Sequence, residues 1–179
     1  MDAELEAILD DEYLGDIAQQ PLDQIRSMRA ECQEVETQLS YLRRLVQGRH
    51  DIVGTELERR RQGGDPTDLS GLVGRLPEIL ADRIRAPGPG RLPETLVPRE
   101  PSGRLADRWN SIVSAGHLTR IDECDEEQLG AISEQLVALE KEVSDLRRAL
   151  FRRIDTLQAE LTRRYRDGEA HVEQLLHDS

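Results

Sequence analysis

Two long stretches free of proline, Leu22 to about Gln62 and Asp125 to about Gly168, each carry apolar residues at alternating steps of four and three. In the first the stripe is Met28, Cys32, Val35, Leu39, Leu42 and Val46; in the second it is Leu129, Ile132, Leu136, Leu139, Val143, Leu146 and Leu150. Such spacing keeps one narrow face of an α-helix apolar along its whole length, and that face is stable only when packed against another like it. Two seams in one chain predict an all-α fold in which the two helices zip into a coiled coil. The composition agrees, with 37% hydrophobic but only 3% aromatic and 34% charged residues, leaving burial to amphipathic helices rather than to a broad core.

The remaining chain divides around these helices. Residues 1–20 form an acidic N-terminal arm, with scattered apolar residues, that stops before Pro21. The first coiled-coil helix takes 21–62 and ends at Gly63-Gly64-Asp65-Pro66. Residues 63–124 are a long, partly helical, Gly/Pro-rich connector. Within it, 69–85 reads as a short amphipathic helix with Leu72, Leu76, Ile79, Leu80 and Ile84 on one side, and 105–113, which holds Trp109, as another. The second coiled-coil helix takes 125–168, and 169–179 is a tail. A connector of this length permits either a parallel or an antiparallel pair.

Charge and motif content narrow the function. A net charge of −12 repels phosphate backbones, so direct DNA binding is not expected, whereas an acidic surface suits a basic protein partner. No apolar run approaches the roughly 20 residues of a membrane span, and the acidic start lacks the basic opening of a secretory signal, which together predict a cytoplasmic protein. Cys32 falls on the seam and Cys124 in an acidic stretch; both are expected to be reduced, with no metal site. His50, His117, His171 and His177 are scattered, and Arg59-Arg60-Arg61 reads as a helix-end cluster suited to the negative end of the dipole. Nothing points to an enzyme.

The informative feature is a polar repeat. Glu36, Ser40, Arg43, Gln47 and Asp51 stand at steps of 4, 3, 4 and 4, and Glu140, Ser144, Arg147, Phe151 and Asp155 stand at the same steps. The match extends to Leu42 with Leu146, Arg44 with Arg148 and Arg49 with Arg153. At ~100° per residue the five side chains fall within an arc of about 80°, a stripe beside the seam. A single such stripe would be read as solvated surface making intrahelical pairs. Two in the same heptad register ask for another explanation. In an antiparallel pair the stripes lie on one side of the seam and merge into a surface with approximate two-fold symmetry, which suits a two-fold symmetric ligand. Arginine can pair bidentately with the O6 and N7 edge of guanine or stack on its ring, and carboxylates can accept from N1–H and the 2-amino group.

The E-x3-S-x2-R-x3-Q-x3-D repeat on two helices resembles the RsiG family of actinobacterial anti-sigma factors. The first copy matches at every motif position; the second carries Phe151 where the pattern has Gln. The resemblance also extends less specifically to Asp11-Glu-Tyr-Leu-Gly-Asp and Leu76-Pro-Glu-Ile-Leu-Ala-Asp. It implies an antiparallel coiled coil that binds cyclic di-GMP as a dimer on all ten repeat residues. It also implies that the bound form sequesters a sporulation sigma factor of the WhiG type. The segment 69–85 is expected to wrap a separate part of that partner. The main rival is a structural or adaptor coiled coil without a nucleotide ligand. An enzyme of cyclic di-GMP turnover is a weaker rival, since no GGDEF or EAL motif is present.

Overall fold

A computed structural model describes residues 2–68, 70, 73, 74, 77, 102–115, 121–166 and 168. Every regular element among them is helical: α1 (Asp2–Leu9), α2 (Leu22–Arg61), α3 (Arg104–Ala115), a single 3-10 turn (Ile121–Glu123) and α4 (Glu126–Arg166). The amphipathic segment at 69–85 lies largely outside the described residues, as do the tail at 169–179 and His117, His171 and His177.

Local chemistry sets the ends of the long helices. Pro21 precedes α2, where its fixed φ and missing N–H are harmless, and Asp23 lies in the first turn. At the other end Gly63 adopts a φ of 87°, and its N–H and that of Gly64 bond back to the carbonyls of Arg60 and Arg59. A side chain at that φ would be strained, so glycine closes the helix. Helix α4 begins with a reciprocal cap: the Gln128 N–H donates to Asp125 Oδ1 at 2.7 Å and the Asp125 N–H to Gln128 Oε1 at 2.9 Å.

Helices α2 and α4, each about 60 Å long at 1.5 Å per residue, pack antiparallel. Arg26 meets Tyr165, Arg43 meets Glu140 and Arg60 meets the Cys124 carbonyl just before α4, so partner numbers fall as residues rise along α2. The seam residues are buried as the heptads require. Ile25, Cys32, Val35, Leu39, Leu42, Val46 and Val53 face Leu129, Leu136, Leu139, Val143, Leu150 and Leu157. Leu146 is only partly buried, since it sits at the seam's edge beside α1.

The N-terminal arm is docked, because Leu5 and Ile8 of α1 join the same core as Leu105 and Ile112 of α3. The Arg104 N–H at the start of α3 donates to the Asp2 carboxylate, while Arg104 and Arg108 both pair with Glu142 of α4. Arg153 of α4 donates to the Leu9 and Asp10 carbonyls at the end of α1. Glu142, Leu146 and Arg153 lie on the flank of α4 roughly 180° from Glu140, Ser144 and Arg147, by the ~100° advance per residue. The short helices therefore cover one flank of the coiled coil and the polar repeat occupies the other.

Candidate functional site

Antiparallel packing brings the middle of the two stripes face to face. Arg43 Nε donates to Glu140 Oε1 at 2.8 Å and to Ser144 Oγ at 2.9 Å, and Ser144 donates to the same Glu140 oxygen at 2.9 Å. The reciprocal set resembles this arrangement, with both arginine nitrogens on the carboxylate: Arg147 Nη2 and Nε donate to Glu36 Oε1 at 2.8 and 3.1 Å, and Ser40 Oγ donates to it at 2.5 Å. Each arginine thus crosses the seam to the Glu–Ser pair of the opposite helix, giving two latches related by an approximate two-fold axis. Burial disfavours the Glu140 carboxylate, but hydrogen bonds from Arg43, Ser144 and Gln47 outweigh it and hold its pKa below the usual value.

The arginines remain accessible. The Arg43 and Glu140 side chains retain 36% and 28% exposure, so this latch borders solvent and can exchange partners. Arg147 and Glu36 are less exposed. Asp51 and Asp155 lie one turn further out, at opposite ends of the array, because antiparallel helices carry their last motif residue in opposite directions. Asp51 is partly exposed beside His50, and Asp155 is exposed.

The two copies differ at one position. Gln47 Nε2 donates to Glu140 Oε1 at 2.9 Å, which draws Gln47 into the latch. Phe151, in the matching place on α4, cannot donate; its ring lies 5.4 Å from the Arg147 guanidinium carbon and stays 43% exposed. Among the described residues, no cluster of three His, Cys, Asp or Glu side chains is arranged to hold a metal, and no helix is long and apolar enough to cross a membrane.

The structure adds a second pair of arginine clusters with a different role. Arg60 lies in the last turn of α2, as the helix-end cluster read from sequence has it, and does more than face the dipole. Its side chain is buried, pairs with the fully buried Glu56 at 2.5 Å, and donates to the carbonyls of Ile121 and Cys124 just before α4. Arg164 pairs with Glu160 at 2.8 Å and donates to the carbonyls of Ile17, Ala18 and Gln20 just before α2. Arg59 and Arg163 brace the same two carboxylates. Glu56, Arg59 and Arg60 stand in the same places relative to the first motif as Glu160, Arg163 and Arg164 do to the second. Carrying the sequence comparison a few turns past the motif would have found them.

The family model described as RsiG-like matches residues 11–80 and 115–178, two segments that contain both long helices and both copies of the repeat. No curated protein matches the chain.

Proposed function

As the chain belongs to the RsiG-like family, a family of regulatory anti-sigma factors, we propose that it binds cyclic di-GMP on the merged repeat surface. In that state it sequesters a flagellar-type sigma factor of the WhiG kind, acting in the cytoplasm in the control of sporulation. The observation that carries this reading is the reciprocal pair of latches, Arg43 on Glu140–Ser144 and Arg147 on Glu36–Ser40. Their approximate two-fold symmetry suits a ligand with two identical guanine and phosphate halves. The donor set also fits: each half offers a guanidinium for a guanine edge or a phosphate, and a carboxylate for N1–H and the 2-amino group. The two arginines supply local positive charge on a chain of net charge −12.

Binding requires the arginines to leave their carboxylates for the ligand, so the free and bound surfaces are alternative partnerships of the same groups. If the sigma factor prefers the bound surface, linkage demands that it raise cyclic di-GMP affinity by the factor by which the ligand raises its own. The same latches also favour a second reading, an adaptor coiled coil whose polar stripe is already satisfied by its own pairs. Calorimetric titration with cyclic di-GMP, with cyclic di-AMP and GTP as controls, separates the two. Selective uptake near two molecules per chain, abolished in Arg43→Ala/Arg147→Ala, is expected. No heat with any nucleotide, with or without the sigma factor, would leave the adaptor.

A further inference from the structure

We infer that Phe151 and Arg147 together form a stacking platform for a guanine base, making the two halves of the repeat surface unequal, with the Phe151 half filled first and more tightly. This rests on the nucleotide reading above and assigns a role within that site to the one position where the copies diverge.

Phe151 is the only phenylalanine in the chain, and it stands on the polar flank, away from the core. With 43% of it exposed there, the ring offers apolar area that a base can cover with a gain in burial. Helix packing does not explain its place, because the adjacent seam position is filled by Leu150, which is fully buried. Its neighbour is a guanidinium 5.4 Å from the ring centre, and rings and guanidinium planes are the two flat surfaces on which nucleobases stack.

The opposite half lacks this surface. There Gln47 is already bonded to Glu140, alongside Arg43 and Ser144, so a base must be taken up by its edges after those bonds are released. On the Phe151 side the ring has no hydrogen bond to give up. A base landing on it covers apolar surface at once, and only the Arg147–Glu36 latch has to rearrange. The difference predicts order: stacking first at Phe151, edge recognition second at Gln47.

Calorimetry of the full chain with cyclic di-GMP tests this. The wild type is expected to show two unequal steps. Phe151→Ala should weaken the tighter step by roughly ten- to a hundredfold, the size of one base–aromatic stack, while Phe151→Tyr keeps it. Phe151→Gln should bring the two steps close together by making both halves alike. Because the ring is exposed, thermal melts of these variants should match the wild type, which separates a binding role from a structural one. In Phe151→Trp/Trp109→Phe, with the native indole on α3 removed, the first equivalent of ligand should quench the new indole's emission. Equal steps in the wild type, with Phe151→Ala unchanged, would overturn the platform and leave the nucleotide reading standing. Absence of any nucleotide binding by the wild type would overturn both.

Discussion

The arginines at the ends of the coiled coil and those at its middle belong to the same internal repeat, yet their surroundings differ, and on the proposed reading so do their tasks. Arg60 and Arg164 are buried, pair with a carboxylate one turn back on their own helix, and direct their remaining donors at backbone carbonyls of the segment leading into the partner helix. The Ile121 and Ile17 carbonyls also accept from the Cys124 and Gln20 N–H groups at 3.4 and 3.3 Å, and the shorter guanidinium bonds tie those turns to the end of the opposite helix. Arg43 and Arg147 cross the seam to side-chain carboxylates at a surface bordered by solvent. A carboxylate can be exchanged for a phosphate or a guanine edge without unravelling backbone structure. On the proposed reading, burial and acceptor type, more than residue type, separate fastening from recognition.

The comparison breaks first if a clamp proves dispensable. Arg60→Ala removes the more buried of the two cations that pair with the fully buried Glu56 and takes a donor from the Cys124 and Ile121 carbonyls, a change approaching the cost of breaking a buried pair, about 3–5 kcal/mol. At roughly 2–4 °C per kcal/mol for a chain of this size, melting should fall on the order of 10 °C in a calorimetric or circular-dichroism scan. A fall of only a degree or two would mean that Arg59 alone satisfies Glu56. A smaller effect is expected in acid. Hydrogen bonds from Arg163 and Arg164 hold Glu160 down to about 2, against 4.5 for the unperturbed group. A depressed carboxylate stabilises fully above its unfolded pKa and loses that contribution as pH falls through the folded value. Melting temperature should therefore decline between about pH 4.5 and pH 2, and more shallowly in Glu160→Gln, which should match the wild type at the acid end of that window. Parallel pH profiles for the two proteins would show that Glu160 carries none of the acid sensitivity.

Much of this architecture is legible from periodicity. The four-three stripes predict the seam that the structure buries, including Cys32 and Leu150, because heptad spacing leaves an apolar face with one way to be covered. Antiparallel order is not set by the seam, since apolar residues pack in either direction. It shows instead in the polar contacts, where Arg43 reaches Glu140 and Arg147 reaches Glu36. Docking of α1 is harder to read, for eight residues carry only Leu5 and Ile8 as buried anchors and depend on α3 and on Arg153 for the rest. The Arg60 clamp is illegible locally: an arginine in a helix's last turn is usually solvated, and nothing nearby reveals that the Ile121 carbonyl will fold onto it. Within the repeat, spacing anticipates the shared face, but not that the free stripes would satisfy one another.

That mutual satisfaction yields the smallest expected effect on stability and the sharpest contrast with the clamps. Removing both latch arginines in Arg43→Ala/Arg147→Ala takes away two ion pairs at a surface bordered by solvent, where screening and side-chain entropy reduce a pair to about 1 kcal/mol or less. Arg147 should account for more of the loss, because its pair with Glu36 is less exposed than that of Arg43 with Glu140. Glu36 and Glu140 keep Ser40 and Ser144 and can recruit water, so neither is left as an isolated buried charge. Melting should drop by no more than a few degrees while nucleotide binding is lost altogether. A drop as large as that of Arg60→Ala would mean that the central arginines fasten the helices as the terminal ones do. The repeat would then be read as a structural zipper whose symmetry reflects helix pairing and not a ligand.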